Sequence, residues 1–298
     1  MTTSTEQWYA SYKPLLFSLA YRMLGSAADA EDIVQDTFVA SAGVDESRIG
    51  NMKAYLCKMA TNRCLDRLKS ATRQRETYVG PWLPEPLATD VSADDPYESF
   101  ALKESISTAY LLLLEQLSAT ERAVFLLREV YQYDYEEIAD MVGKTAANCR
   151  QIFRRAKRSL HGGPEAKAIP AAAPAQGEAR AVVEQFVEAL AGGNVPRLLE
   201  LLAADAVMLT DGGGKVRAAI NPLLGADRIL RFFEGIRHKY GEELRYEWRT
   251  INGGPGLVTR WGEAAVWVVT FDVRDGVLRR IYSVSNPDKI NRFLDANG

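Results

Sequence analysis

Cysteine and histidine are scarce in this chain, with three Cys and two His among 298 residues. Cys57, Cys64 and Cys149 have no CxxC spacing, and only His161 and His238 could join them as soft ligands. Neither a metal site nor a disulfide framework is supported, and no cofactor is expected. The cysteines fall on apolar helical faces and read as reduced core residues. No apolar run approaches the ~20 residues that span a bilayer. The polar start MTTSTEQWYASYK lacks the charged opening and apolar core of a secretion signal, so a cytoplasmic protein with no membrane partner is expected. An excess of charge of one sign is also missing: 36 Lys+Arg stand against 39 Asp+Glu, a net charge of −3. Any nucleic-acid contact must therefore come from local basic clusters rather than a basic whole. The length allows about two or three domains.

The clearest local cluster lies between Asp134 and Leu160, DYEEIADMVGKTAANCRQIFRRAKRSL. Asp134 stands three residues before Glu137, a capping-box spacing, and Tyr135, Ile138, Ala139 and Val142 share one helical face until Gly143 breaks it. A second helix then carries Cys149, Ile152, Phe153, Ala156 and Leu160 on one stripe. Asn148, Arg150, Gln151, Arg154, Arg155, Lys157 and Arg158 fill the opposite arc, which no acid of the same helix interrupts. Arg and Lys neutralise phosphates, whereas Asn, Gln and Arg also pair with base edges in the major groove. Two short helices around a glycine turn, the second basic, read as a DNA-binding helix-turn-helix.

Upstream, Trp8 to Leu24 repeats apolar residues at helical spacing up to Gly25. A second helix buries Ala30, Ile33, Val34, Thr37 and Phe38 and leaves Glu31, Asp32, Gln35, Asp36 and Val39 outside, an acidic face suited to a basic partner surface. A third, about Asn51 to Ser70, turns Ala54, Cys57, Ala60, Cys64, Leu65 and Leu68 inward. Outside it shows Tyr55, Lys58, Asn62, Asp66 and Lys69, with Arg63, Arg67, Arg73 and Arg75 alongside. An aromatic, an amide and cations on one face suit unstacked single-stranded bases.

YRMLGSAADAEDIVQDTFVAS followed by AYLCKMATNRCLDRLKSATRQRE resembles the second conserved region of bacterial sigma factors, and Leu117 to Leu160 resembles the fourth. Only a linker separates them, as in the compact extracytoplasmic-function group. The resemblance implies a transcription initiation factor whose partners are core RNA polymerase and promoter DNA. On that footing Glu31, Asp32, Gln35 and Asp36 dock on polymerase. Tyr55, Lys58, Asn62, Arg63 and Lys69 hold the melted strand. Lys144, Thr145, Asn148, Arg150, Gln151, Arg154, Arg155 and Arg158 meet the duplex element. A conventional duplex-binding regulator is the alternative; it would not need the Tyr55–Asn62–Lys69 face and would typically dimerise on a palindrome.

Between the two regions, Pro84 and Pro86 stiffen Trp82 to Pro86 into a presentable, extended segment that reads as a docking peptide for another domain of the same chain. A second linker, GGPEAKAIPAAAPAQG, precedes a new domain near Glu178. There a helical stripe, a further helix around Pro196 to Leu202 and a helix over Ala226 to Tyr240 lead into antiparallel strands at Leu244–Ile251, Gly256–Trp261, Ala264–Val273 and Val277–Val284. The expected boundaries are 1–75, a linker 76–100, 101–161, a linker 162–177 and 178–298. The fold class is multidomain, an all-α N-terminal half followed by an α+β domain.

This last domain resembles the SnoaL-like superfamily, whose curved sheet and helices enclose a conical pocket. In the sigma factors that carry such a domain, the resemblance implies interdomain regulatory motifs that stand here as Trp82, Leu83, Pro84, Glu85 and Pro86; Asp211, Gly212, Gly213, Gly214 and Lys215; and Asn286, Pro287, Asp288 and Lys289. The glycine run, expected as a surface turn, offers backbone N–H groups as a nest for a carboxylate such as Glu85. Relatives of this fold include isomerases and cyclases, but no acid/base pair is visible, so a regulator is expected rather than an enzyme. The domain would tune activity without a dedicated anti-sigma factor. A small ligand in the cone is left open.

Overall fold

In a computed structural model the chain is described at residues 4–42, 44, 49–75, 77–89, 106–162 and 176–295. The acidic part of the first linker and most of the Ala/Pro/Gly linker lie outside these residues. The chain divides into two compact units, Met1–Glu76 with Ser92–Ile169, and Thr77–Val91 with Pro170–Gly298.

The first unit is helical: α1 (Ser4–Leu24), α2 (Ala27–Ser41), α3 (Met52–Arg75), α4 (Thr108–Glu115), α5 (Ala119–Phe125), a π-helical turn (Leu126–Val130), α6 (Tyr135–Val142) and α7 (Ala146–Gly162). Local chemistry sets several of its boundaries. Ser26 Oγ accepts from the Asp29 N–H at 3.1 Å and opens α2. The Asp134–Glu137 capping box forms in both directions, at 2.8 and 3.1 Å, and opens α6. Gly143 closes it at φ 64°, a left-handed conformation that glycine adopts without strain.

Leu16, Leu19, Ala20 and Met23 of α1 pack with Ala30 and Val34 of α2 and with Leu56, Cys57, Ala60 and Cys64 of α3 in a sealed core. The α3 stripe differs from the expected one. Leu56 and Thr61 are buried, whereas Ala54 and Leu65 are only half-buried. The helix packs against α1 and α2 on one side and α6 on the other, which widens its covered arc beyond a single amphipathic face. On α6 the buried residues are Ile138 and Met141. The thiols are buried, and desolvation pushes Cys57 up to about 11.

Two arginines are enclosed in this unit. Arg122 donates from Nε to the Leu114 carbonyl at 2.9 Å and from Nη1 to that of Met23 at 2.5 Å. It thereby ties the C-terminal end of α1 to α4 and α5 through helix-end carbonyls that lack intrahelical partners. Arg22 donates to Ser18 Oγ at 2.6 Å and Tyr131 Oη at 2.9 Å.

The second unit opens with α8 (Gln176–Ala191) and α9 (Val195–Leu201), followed by β1 (Leu202–Asp211), β2 (Leu223–Leu224), α10 (Ala226–Tyr240), β3 (Leu244–Ile251), β4 (Gly254–Trp261), β5 (Ala264–Arg274), β6 (Val277–Val284) and α11 (Pro287–Asp295). The sheet order is β2-β1-β6-β5-β4-β3. Its β3 to β6 meander is antiparallel, as expected, but β1 is a strand that sequence reading does not find, and it runs parallel to β6. Its LAADAVMLTD is rich in Ala and Leu and follows a helix without a turn signal, so its period of two is masked. Ala179, Val183 and Phe186 of α8 and Ile229 and Leu230 of α10 cover the sheet, and Met208, Leu257 and Ile281 face the same core.

Candidate functional site

The α2 face stands as expected. Glu31, Asp32, Gln35 and Asp36 are all exposed, and Val39 beside them is 75% exposed, an apolar knob among acids. Arg67 of α3 reaches Asp32 at 3.4 Å and also pairs with Asp29. The rest of the acidic face makes no ion pair among the described residues.

On α3 the residues expected to hold a melted strand are already in contact with protein. Lys58 Nζ donates to Asp140 Oδ1 on α6 at 2.8 Å, and a shallow cleft between α3 and α6 is lined by Tyr55, Lys58, Glu137, Asp140 and Met141. Asn62 is exposed, and its amide donates to the Lys58 carbonyl at 3.0 Å. Arg63 bonds back to the Met59 carbonyl at 3.3 Å, and Lys69 pairs with Asp66 at 2.8 Å. The helix-turn-helix and this face thus share one boundary, a juxtaposition that no sequence pattern indicates.

On α7 four of the five residues of the expected stripe, Cys149, Ile152, Ala156 and Leu160, are buried, while Phe153 is half-buried beside the Phe125 and Tyr135 rings. The opposite arc is divided by acids from neighbouring elements. Arg150 meets Glu136 at 3.0 Å and lies 5.1 Å from the Tyr135 ring; Arg155 meets Glu121 at 2.5 Å; Lys157 meets Glu129 at 3.1 Å. Thr145 caps the helix by accepting from the Asn148 N–H at 3.2 Å. Lys144, Asn148, Gln151, Arg154 and Arg158 remain exposed without an ion pair among the described residues, and together they line a basic concavity. An anionic backbone would meet this subset first.

The second unit gathers residues of all three interdomain motifs around Asp211. This residue ends β1 and is fully buried, contrary to the expected surface turn. Its carboxylate accepts from the Tyr78 hydroxyl at 2.5 Å, the Leu83 N–H at 2.8 Å, Lys289 Nζ at 2.8 Å and the Gly213 N–H at 3.0 Å. Its carbonyl accepts from the Ser285 and Asn286 N–H groups at 2.7 and 2.9 Å, which fixes the start of α11. Lys289 also donates to the Leu83 carbonyl and lies 4.1 Å from the centre of the Trp82 ring. The Asn286 amide donates to Tyr78 Oη at 3.0 Å. Burial, followed by the hydrogen bond to Asp211, pushes the Tyr78 phenol well above its ordinary range.

Glu85 does not enter the glycine nest. It pairs with Arg292 of α11 at 3.0 Å, because Asp211 itself takes the Gly213 N–H and Lys215 is taken by Asp288 at 2.6 Å. Gly213 needs its φ of +59°, and a Cβ there would run into the Asn286 amide. The far end of the segment is held too. Ala88 bridges Ile251 at the β3 edge, the Thr89 N–H donates to the Thr250 carbonyl at 2.8 Å, and the Asn252 N–H donates to the Leu87 carbonyl at 2.8 Å. Residues 77–89 are thus an added edge piece of this unit. Tyr78 and Arg292 escape sequence reading: neither lies in a motif, although Arg292 follows Lys289 by one helical turn.

Among the described residues, no group of three or more His, Cys, Asp or Glu is placed to hold a metal ion, and no helix is long and apolar enough to cross a membrane. Residues 8–74 match the family model of sigma-70 region 2, and residues 107–160 that of sigma-70 region 4. The chain is 32% identical over 283 residues to the ECF RNA polymerase sigma factor SigJ of Mycobacterium tuberculosis, covering 92% of this chain and 89% of the relative. It is 28% identical over 289 residues to a probable ECF sigma factor, SigI, of the same species, covering 95% and 93%. The crystal structure of M. tuberculosis SigJ superposes with a TM-score of 0.77 at 28% identity, covering 96% of this chain and 98% of that one. These full-length relatives are sigma factors rather than enzymes, and the duplex-only regulator gives way to them. With both sigma regions matched and such a relative aligned along nearly its whole length, the chain belongs to the extracytoplasmic-function RNA polymerase sigma factors and carries an additional C-terminal domain.

Proposed function

We propose that this sigma factor contacts core RNA polymerase through Glu31, Asp32, Gln35 and Asp36 of α2, holds the melted promoter strand on the Tyr55–Asn62 face of α3, and reads duplex DNA with the unpaired subset of α7. Residues 1–75 and 101–161 are then its working domains, acting in the cytoplasm. Exposure of the α2 acids and of the Lys144–Arg158 concavity supports the first and third roles. The Lys58–Asp140 pair supports a closed resting arrangement of the first unit, in which α6 must leave α3 before a strand can bind.

The C-terminal unit tunes this activity by gripping the segment between the two regions. The observation that carries this reading is the four-donor cradle of Asp211, which spans all three motifs. The grip sets the geometry of the tether between the two DNA-binding regions, so a dedicated anti-sigma factor is not required. A coupling of about 1–3 kcal/mol changes activity roughly 5–150-fold. The test is in vitro transcription with core polymerase on a genomic promoter library, comparing the full chain, its Asp211→Asn variant and a chain ending at Gly163. Transcription that differs among the three gives the sign of regulation. Equal transcription from all three sinks the tuning scheme, and silence from all three sinks the assignment of roles.

A further inference from the structure

The C-terminal unit encloses a cavity of about 600 Å³ between α8, α10 and the concave face of the sheet, within the range of pockets that take drug-sized molecules. Met208, Leu257 and Val269 form its floor, and Phe186, Phe233, Trp267 and Phe271 its walls. The ionisable lining residues Glu234, Arg237 and His238 all come from α10 and are exposed, so they stand at the rim. The floor itself carries no carboxylate or cation.

Besides the Tyr246 phenol, two aliphatic hydroxyls break the apolar lining. Thr259 is 4% exposed and Ser283 is 3% exposed, both line the cavity, and neither side chain makes a hydrogen bond among the described residues. By contrast, the Thr210 hydroxyl donates to the Ala219 carbonyl at 2.9 Å, and that of Ser285, just past β6, to the Asp211 carbonyl at 3.1 Å. Neither cavity hydroxyl is sealed within the protein, so each stays open to a ligand group that bonds it from the cavity. Strand register fixes their separation. Leu257 is paired with Val269 and Val269 with Ser283, while Thr259 lies two residues beyond Leu257. Two strand spacings and one two-residue step put the hydroxyls on the order of 10 Å apart.

We infer that this cavity is a receptor site for a neutral, flat, mostly apolar small molecule with two hydrogen-bonding groups about 10 Å apart, one for Ser283 and one for Thr259. Aromatic walls select flatness, and a floor without counter-ions excludes a buried charge. This deepens the accessory-domain reading and rests on it for its consequence, a chemical input to transcription, but not for binding itself.

The test uses the intact chain and the neutral, planar dye Nile red, followed by its emission and by quenching of tryptophan fluorescence. Saturable one-to-one binding is expected, with the anionic dye 1-anilinonaphthalene-8-sulfonate binding at least about 10-fold more weakly because its charge has no partner inside. Ser283→Ala and Thr259→Ala should each weaken Nile red about 3- to 10-fold. Val269→Phe and, separately, Met208→Phe, which fill the floor, should abolish binding; only a variant that keeps the native unfolding temperature is read. Absence of saturable binding overturns the proposal, as does native affinity in both filled variants or in both hydroxyl variants. The assay needs no polymerase, so its failure leaves the transcription reading standing, and silence in transcription leaves this one.

Discussion

Lys289 Nζ lies 2.8 Å from Asp211 Oδ2, with side-chain exposures of 6% and 0%, and its ammonium also reaches the Leu83 carbonyl and the Trp82 ring. One cation therefore reads two features of the docked segment, a carbonyl and an aromatic face, while it pairs with the carboxylate that holds the Leu83 N–H. An ion pair this deeply buried is expensive to break, because removing one partner strands the other charge.

Asp211→Ala should destabilise the second unit by about 3–5 kcal/mol, since Lys289 is left uncompensated and the Leu83 N–H and Tyr78 hydroxyl lose their acceptor. Thermal unfolding of the full chain measures this. Limited proteolysis should cut between residues 77 and 91 in the variant faster than in the native chain. A variant with unchanged cleavage and unfolding would show that Asp211 does not hold the segment.

Trp82→Ala should loosen the same contact by about 0.5–2 kcal/mol, and Trp82→Phe by less, because a smaller ring keeps a weaker cation–π attraction. The order native, Phe, Ala in protease resistance is the expected result. Equal resistance of all three would make the Trp82 ring a bystander.

Lys58–Asp140 is an exposed pair, with 39% and 72% of the side chains accessible, so it contributes at most about 1 kcal/mol. Asp140→Asn should accordingly raise promoter opening by no more than about 5-fold at low salt, with the gain fading as ionic strength rises. Opening can be followed by permanganate reactivity of unpaired thymines in the polymerase complex. A fall in opening would contradict the closed resting arrangement.

Arg154→Ala and Arg155→Ala should have different effects although the residues are adjacent. Arg154 is exposed and makes no ion pair among the described residues, so its loss should reduce the salt slope of duplex binding by about 1. Arg155 pairs with Glu121, whose carboxylate also caps α5 through Ser118, so its loss should lower stability instead. DNA-binding titrations at several salt concentrations and thermal unfolding separate the two.

Burial would raise the Glu121 carboxyl, but hydrogen bonds from Ser118 and Arg155 outweigh it and hold the group below its ordinary value. The folded state thus binds this proton more weakly than the unfolded chain. Its stabilisation is complete above the usual carboxylate range and is lost as pH falls through the depressed value. Glu121→Gln should therefore lower stability at pH 7 and leave it nearly unchanged in acid. Denaturant titrations at both pH values check the sign.

Much of the fold is encoded locally. The Ser26, Asp134 and Gly143 boundaries, the Ile152–Ala156–Leu160 stripe and the β3 to β6 meander follow from capping, backbone freedom and periodicity, each set within a few residues. The acidic α2 face and the basic α7 arc were legible for the same reason. Long-range pairing is not local in this sense. Glu121, Glu129 and Glu136 claim three of the five Lys and Arg residues of α7, Glu85 goes to Arg292 rather than to the glycine nest, and β1 lies parallel to β6. Asp211 shows why. The sequence alone marks it as the head of a glycine run, a place where a carboxylate usually meets water. Only the folded chain places four donors around it, two of them from residues 128 and 133 positions away, and makes burial of the charge favourable.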